Sequence, residues 1–258
     1  MAKILIACPV FKREWILPTW LEFIENQDFP KENLGFMFEL GDDDEATHDI
    51  LWDWQCSHPQ YHIFDGQIDQ RLYHEAHPDG TRQWHSERYE TMATLRNSLL
   101  ERASQMTDRY DYYFSLDSDI LLEDPQTLNK LVAHAEAISD ADVLSPLMYM
   151  TPFDTDYPSA MTWVDHPGGR AIRDLGEYKI GEVFKADIVM AAVFMKQHVV
   201  ERVRYRWHPQ GEDLGFAAEL ARMNMSSYCV WDVYCPHIMH SFMLNDYLLT
   251  HIDGRKPF

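Results

Sequence analysis

The sequence predicts an α/β protein with a doubly wound, mostly parallel central sheet flanked by helices. Three observations carry that prediction. Short β-type runs alternate with helically spaced segments through the first half of the chain, in the order β-α-β-α-(β)-α-β-α. The run "YDYYFSL" (110–116) is apolar without alternation, as befits a central parallel strand covered on both faces. Three acidic or basic stretches fall just beyond the carboxyl ends of such runs, where ligands bind in sheets of this kind.

"KILIACPVF" (3–11) reads as the first strand. Leu17, Trp20, Leu21 and Ile24 then share one face of a helix. "LGFMFEL" (34–40) is the second strand, closed by the acidic turn "GDDDEAT" and a short helix "HDILWDW". "YHIFD" (61–65) is a third, and residues 66–85 form a polar loop rich in His, Asp and Gly. A helix from Ser86 to Ala103 follows, with Met92, Leu95, Leu99 and Ala103 on one face. After the strand 110–116, Asp124 and Pro125 mark a helix start, with Leu128, Leu131, Val132 and Ala135 as its apolar stripe.

The second half is less regular. Residues 150–177 read as loop, with Gly168-Gly169 as a hinge, and 186–203 as a strand followed by a helix. Residues 211–225 form a helix with Glu212 and Asp213 in its first turn, and 226–242 a strand running into His237 and His240. There is no internal repeat, low-complexity tract or linker, so residues 1–258 are expected to form one domain.

A hydrophobic share of 46% and an aromatic share of 13% exclude a disordered chain. No window approaches 18 consecutive apolar residues, and "MAKILIACPV" lacks a small-residue cleavage site, so neither a membrane span nor a signal peptide is expected. Cys8, Cys56, Cys229 and Cys235 have no CxxC spacing, which fits reduced thiols in a cytoplasm. The formal charge of −20, from 42 acidic against 22 basic residues, disfavours a broad nucleic-acid-binding surface.

The chemistry concentrates in "SLDSDILLEDP" (115–125). Asp117-Ser118-Asp119 sends two acids to one tight turn, where they repel unless a metal ion, an arginine or water lies between them. Mg²⁺ and Mn²⁺ favour carboxylate oxygens and complete their shell with phosphate oxygens. The plainer alternative is a turn whose acids cap the next helix. Asp124 belongs to that plainer class. Pro9–Lys12 and Gly41–Asp44 lie at neighbouring strand ends, so three stretches converge on one crevice. The histidines between His58 and His85 lack an HExxH pattern and read as loop.

"ATLRNSLLERASQMTDRYDYYFSLDSDILLEDP" resembles the central stretch of GT-A glycosyltransferases, especially the family 2-like group: an Arg-Asn helix before an apolar strand that ends in a DxD motif. "ILIACPVFKREWILPTWLEFIENQDFP" and "FMFELGDDDEATHDIL" are similar to that fold's first two strands, and also to Anp1-type mannosyltransferases, where an acidic cluster and a Thr follow strand two. "GEDLGFAAELARMNM" resembles the family's later Glu-Asp helix.

The resemblance implies a metal-dependent hexosyl- or pentosyltransferase with a Rossmann-like GT-A sheet. Residues 1–125 would bind the nucleotide sugar and 126–258 the acceptor. Asp119 would hold Mn²⁺ or Mg²⁺, with Asp117 and Ser118 on the ribose or a metal-bound water. Pro9, Val10 and either Glu39 or Asp42 would surround the base, and Arg96 would face the nucleotide. A late histidine would complete the metal shell, His240 ahead of His237. Asp213, with Glu212 as competitor, would be the general base of an inverting transfer. Trp163, Asp165, His166 and the Gly-Gly loop are candidate acceptor or lid residues.

The donor expected is a nucleotide-diphosphate sugar, a UDP-sugar first. The acceptor is a hydroxyl on a glycan, a protein, a small molecule or a modified nucleobase. Plainer readings stand beside these roles: a surface salt bridge for Arg96, ordinary packing for the histidines, and helix-dipole acids for Glu212 and Asp213. Two rival functions are a nucleotidyltransferase, for which "CPVFKRE" lacks a phosphate-loop glycine, and a non-catalytic nucleotide-sugar-binding protein with no use for Asp213.

Overall fold

Isoleucines, a leucine and a valine in "ILIACPV" make β1 (Ile4–Val10) a strand that buries both its faces. The computed structural model describes residues 1–41, 44–68, 86–106, 109–158, 160–161, 163–166, 169–172 and 183–252. In chain order the further strands are β2 (Leu34–Gly41), β3 (His62–Ile68), β4 (Tyr112–Leu116), β5 (Val143–Leu147), β6 (Tyr149–Thr151), β7 (Asp154–Pro158), β8 (Ala160–Met161), β9 (Trp163–His166), β10 (Gly169–Ile172), β11 (Val183–Ala186), β12 (Ile188–Val189), β13 (Ala192–Lys196) and β14 (Ser227–Tyr234). The helices are α1 (Leu17–Glu25), α2 (Glu45–Ser57), α3 (Ser86–Ser104), α4 (Thr127–Ala137), α5 (Gln197–Arg202), α6 (Glu212–Arg222) and α7 (Ser241–Ile252).

The main sheet has the order β11-β14-β5-β13-β4-β1-β2-β3. The pairs β3–β2, β2–β1, β1–β4 and β5–β14 are parallel. Strand β13 runs antiparallel to both β4 and β5, and β11 antiparallel to β14. The mostly parallel α/β sheet expected from the sequence is therefore present, with an antiparallel strand wedged into its centre. That strand follows from its connection. Among the described residues, the chain from β5 to β13 passes through the short antiparallel pairs β6–β7 and β8–β12, and β13 enters the sheet from the carboxyl end of β4.

Period-two alternation splits the apolar residues into two cores. Ile4, Ile6, Cys8 and Val10 of β1 and Phe114 of β4 pack with Trp20 of α1, Leu51 of α2, Leu131 of α4 and Tyr247 of α7. Leu5, Ala7 and Tyr113 face the other way, onto Leu99 of α3, Val199 of α5 and Phe216 of α6. This is a three-layer sandwich, and the alternation decides which strand-end residues meet α3.

The residues expected as loop at 150–177 include β6 to β10 among those described. β3 extends to Ile68, three residues past the expected end. β5 and α7 appear where no element was expected.

Candidate active site

The alternation that turns Tyr113 towards α3 does the same for Ser115 and Asp117. Arg96 waits there on α3. Its Nη1 and Nη2 donate to Asp117 Oδ1 and Oδ2 at 2.8 and 2.9 Å, a two-toothed pair, and Nη1 also lies 3.2 Å from Ser115 Oγ. Its Nε reaches Glu212 Oε1 of α6 at 3.4 Å. The guanidinium lies 5.5 Å from the Tyr205 ring centroid. Burial works against the charge on Arg96, but Asp117, Asp213 and Glu212 outweigh it and hold the group charged. So the partner of Asp117 in this structure is an arginine.

Asp119 is fixed by backbone. Ile120 N–H closes a turn on Asp117 O at 3.1 Å, and Ile238 N–H donates to Asp119 O at 2.7 Å. Leu121 N–H donates to Pro236 O at 3.0 Å. The segment after β14 is thereby zipped along residues 119–121. This places His237 Nε2 3.6 Å from Asp119 Oδ1. On the opposite oxygen, Arg13 Nη2 lies 3.1 Å from Asp119 Oδ2. Asp117 N–H is held by Ala191 O at 3.0 Å, and Ala191 has φ 60, a left-handed backbone uncommon for alanine. Strained residues of this kind collect at functional sites.

Helix α6 brings in the third acid. Gly211, at φ 136, adopts a conformation that favours glycine and starts the helix, with Glu212 and Asp213 in its first turn. Gly215 lets the Arg206 carbonyl lie against the helix: a Cβ there would sit 1.9 Å from Arg206 O. Asn97 clamps the same segment from α3, donating to Tyr205 O at 2.9 Å and accepting from Tyr205 N–H at 2.8 Å. Asp213 is half-buried as a residue, yet its Oδ1 is sealed from solvent with no hydrogen-bond partner among the described residues. Burial, then repulsion from Glu212, raises its carboxyl well above the ordinary range, against the pull of Arg96. Beneath the acids, burial and the charges of Asp117 and Asp119 hold the Cys8 thiol protonated.

The structure thus gathers Arg96, Asp117, Asp119, Glu212, Asp213 and His237 from four chain segments: α3, the end of β4, the start of α6 and the stretch after β14. Arg96 directs its guanidinium to Asp117, Ser115 and Glu212. Other expected residues sit elsewhere. Glu39 is buried on the α3 side of β2, taking Ser98 Oγ at 2.6 Å and pairing with Arg102 at 3.1 Å, so it is not placed to read a base. Val10 is fully buried and Ser118 nearly so, leaving Pro9 as the half-buried member of the expected base pocket. His240 stacks on Phe242 at 5.4 Å, and it is His237 that meets Asp119, reversing the expected order of the two. Asp42 and Gly168 lie outside the described residues, as do the side chains of Trp163, Asp165 and His166. Asp124 accepts from Gln126 N–H at 2.9 Å and from Lys130 at 2.6 Å, outside the site as expected.

Two contributors were not anticipated. Arg13 is visible in the sequence only as one of several charges in "KRE", and Asn97 only as the second residue of an Arg-Asn pair. Their partners lie 106 and 108 residues away.

Among the described residues, no group of three His, Cys, Asp or Glu side chains assembles to hold a metal ion. Mg²⁺ does not need one, since it keeps several waters and takes one or two carboxylates together with substrate phosphates. Asp119 Oδ1 and His237 Nε2, an oxygen and an imidazole nitrogen 3.6 Å apart, fit such a partial shell for Mg²⁺ or Mn²⁺. Asp117 does not join it here, because Arg96 takes both its oxygens.

Comparison with known proteins agrees with this fold. The mannosyltransferase PcManGT from Pyrobaculum calidifontis, solved with GDP-Man and Mn²⁺, superposes with a TM-score of 0.60 at 14% identity, covering 98% of this chain and 64% of that one. TarS of S. aureus with UDP-GlcNAc gives 0.54 at 15% identity, over 90% of this chain and 57% of that one. These likenesses establish the GT-A fold. Procollagen galactosyltransferase 1-A of Xenopus laevis is 30% identical over 136 residues, 52% of this chain and 22% of its own length. A glycosyltransferase 25 family member of Aedes aegypti is 23% identical over 200 residues, 76% of this chain and 32% of its own. The chain thus spans between a fifth and a third of the length of these relatives. Residues 1–158, which carry β1 to β5 and the acids 117 and 119, match the model described as glycosyltransferase family 25, N-terminal domain. The numbered family differs from the family 2-like and Anp1-type groups of the sequence resemblance, while the GT-A architecture is common ground. The chain belongs to glycosyltransferase family 25.

Proposed function

We propose that the chain is a metal-dependent glycosyltransferase that moves a sugar from a nucleotide-diphosphate sugar to a hydroxyl, inverting the anomeric carbon. The observation that carries the reading is the meeting of His237 with Asp119 at the carboxyl end of β4. Two metal-favouring donors far apart in the chain, one near its middle and one late in it, converge where open α/β sheets bind their ligands.

When bound, a divalent ion supplies charge neutralisation for the diphosphate leaving group. Asp119 and His237 are the residues to hold it. Arg96 fixes Asp117 in one rotamer, for contact with the ribose, and ties β4 to α6. Asp213 is the base: its raised proton affinity moves it from an ordinary carboxylate towards the pH at which a base takes a hydroxyl proton best. Glu212, already engaged by Arg96, acts on Asp213 by repulsion. Residues 1–125 bind the donor. Residues 126–258 bind the acceptor, and also lend the donor site His237.

The donor class is a nucleotide-diphosphate sugar, with UDP-sugars first. The names of the relatives put a galactosyl donor and a protein hydroxyl at the head of the trial list. A glycan or small-molecule hydroxyl comes next, and the −20 charge places a nucleobase in DNA last. Thermal-shift titrations with UDP-galactose, UDP-GlcNAc and GDP-mannose, with and without Mn²⁺, test the reading, because a ligand of the native state raises the midpoint by mass action. A shift that needs both donor and Mn²⁺, and is lost in Asp119→Asn, supports it. Equal shifts with and without Mn²⁺ refute the metal role.

A further inference from the structure

The guanidinium on Asp119 has a cost and a use. We infer that Arg13 gates the metal site: it opposes a bare divalent ion at Asp119, and binds the diphosphate when ion and nucleotide arrive together. The inference rests on the transferase reading above.

Arg13 lies on the turn leaving β1, and the first turn of α2 holds that turn in place. Lys12 has φ 51, a left-handed backbone that costs a lysine energy and must be held from outside. Its N–H donates to Asp44 Oδ2, while Arg13 N–H donates to Thr47 Oγ1 at 3.2 Å. Thr47 N–H in turn donates to Asp44 Oδ1 at 3.3 Å. Both clamp side chains are buried, Thr47 completely. Two buried polar side chains are thus committed to the backbone of two residues, and the outcome is the direction of Arg13.

The Arg13 side chain is 23% exposed and that of Asp119 5%, so the guanidinium lies on the solvent side of the acid. The two oxygens of Asp119 are divided, Oδ1 towards His237 and Oδ2 towards Arg13. Arg13 already offsets the charge of Asp119, as Arg96 does that of Asp117 while also reaching Glu212. A bare divalent ion adds two positive charges beside a fixed guanidinium. A sugar-nucleotide diphosphate carries two negative charges, so ion and diphosphate together add none. They also offer phosphate oxygens, which a guanidinium fork matches better than an ammonium does. A purely structural Arg13–Asp119 pair would lower stability when cut and leave the two ligands unlinked.

The test separates the two halves of the gate. Mn²⁺ binding to the nucleotide-free protein is read by electron paramagnetic resonance of the free ion, and UDP binding in saturating Mn²⁺ by calorimetry. In Arg13→Gln, bare Mn²⁺ is expected to bind about tenfold tighter and UDP about tenfold weaker, the scale of one charged hydrogen bond. Arg13→Lys keeps the charge and loses the fork. It should leave bare Mn²⁺ within about twofold of wild type and still weaken UDP several-fold. Melting midpoints confirm that the variants fold, and Arg13→Lys decides alone if Arg13→Gln does not. Affinities that move in the same direction, or a lysine variant with wild-type UDP affinity, overturn the role of Arg13 while the transferase reading stands. A wild type that binds neither UDP nor GDP in the presence of Mn²⁺ overturns both.

Discussion

Arg96 and Asp117 meet through two parallel hydrogen bonds of 2.8 and 2.9 Å, with the arginine side chain only 3% exposed. The same guanidinium touches Ser115 of β4 and Glu212 of α6, so one buried cation joins three elements that each carry a site residue. Removing one partner of such a pair strands the other in a poorly solvated place. Arg96→Met should therefore destabilise the fold by about 3–5 kcal/mol, measured by urea unfolding. Arg96→Lys, which keeps the charge without the fork, should fall between.

Asp213 carries a pH signature. Its folded-state carboxyl is raised above the unfolded value of 3.8, first by burial and then by Glu212. The folded protein then holds this proton more tightly than the unfolded chain, so stability falls as pH rises from 3.8 through the folded-state value. Asp213→Asn removes that loss and should raise the melting midpoint at neutral pH relative to wild type. Turnover should drop by about 10²–10⁴-fold, the usual weight of a general base. A variant that keeps its turnover rules out Asp213 as the base.

Gly215 tests how α6 is seated. A methyl group there would sit 1.9 Å from the Arg206 carbonyl, which is backbone and cannot swing aside. Gly215→Ala should cost about 1–3 kcal/mol by denaturant titration, despite the better helix propensity of alanine. It should also lower turnover, because the helix carries Asp213 and Glu212.

The two late histidines should separate cleanly. His237→Ala should weaken Mn²⁺ binding by about tenfold or more, as loss of a ligand or its support does. His240→Ala, which removes a ring stacked on Phe242, should leave Mn²⁺ affinity unchanged. The opposite ranking in a Mn²⁺ titration would return the ligand role to His240.

The first half of the fold was legible because its elements are long and regular. The spacing of Leu17, Trp20, Leu21 and Ile24 gave α1, and the apolar run at 110–116 gave β4 almost to the residue. β5 was missed because "VLSPL" is short and contains a proline. The antiparallel insertion of β13 was missed because strand direction depends on the connection before it, not on the strand's own residues. Within the site, acids at strand ends announced themselves, whereas Arg13, Asn97 and the burial of Glu39 exist only through partners far along the chain. The partners of Arg96, which are Asp117, Ser115 and Glu212, are likewise not legible, since helical spacing alone does not say which acid a buried arginine will bind.

Metal-dependent sugar transfer is tested most directly by release of nucleoside diphosphate from UDP-galactose, UDP-GlcNAc and GDP-mannose, with hydroxyl acceptors present or absent. At least one donor should turn over with Mn²⁺, stop when EDTA is added, and fail with Asp119→Asn. Release that persists at the same rate in EDTA, or no release from any nucleotide-diphosphate sugar, would contradict a metal-dependent transferase built on Asp119 and His237.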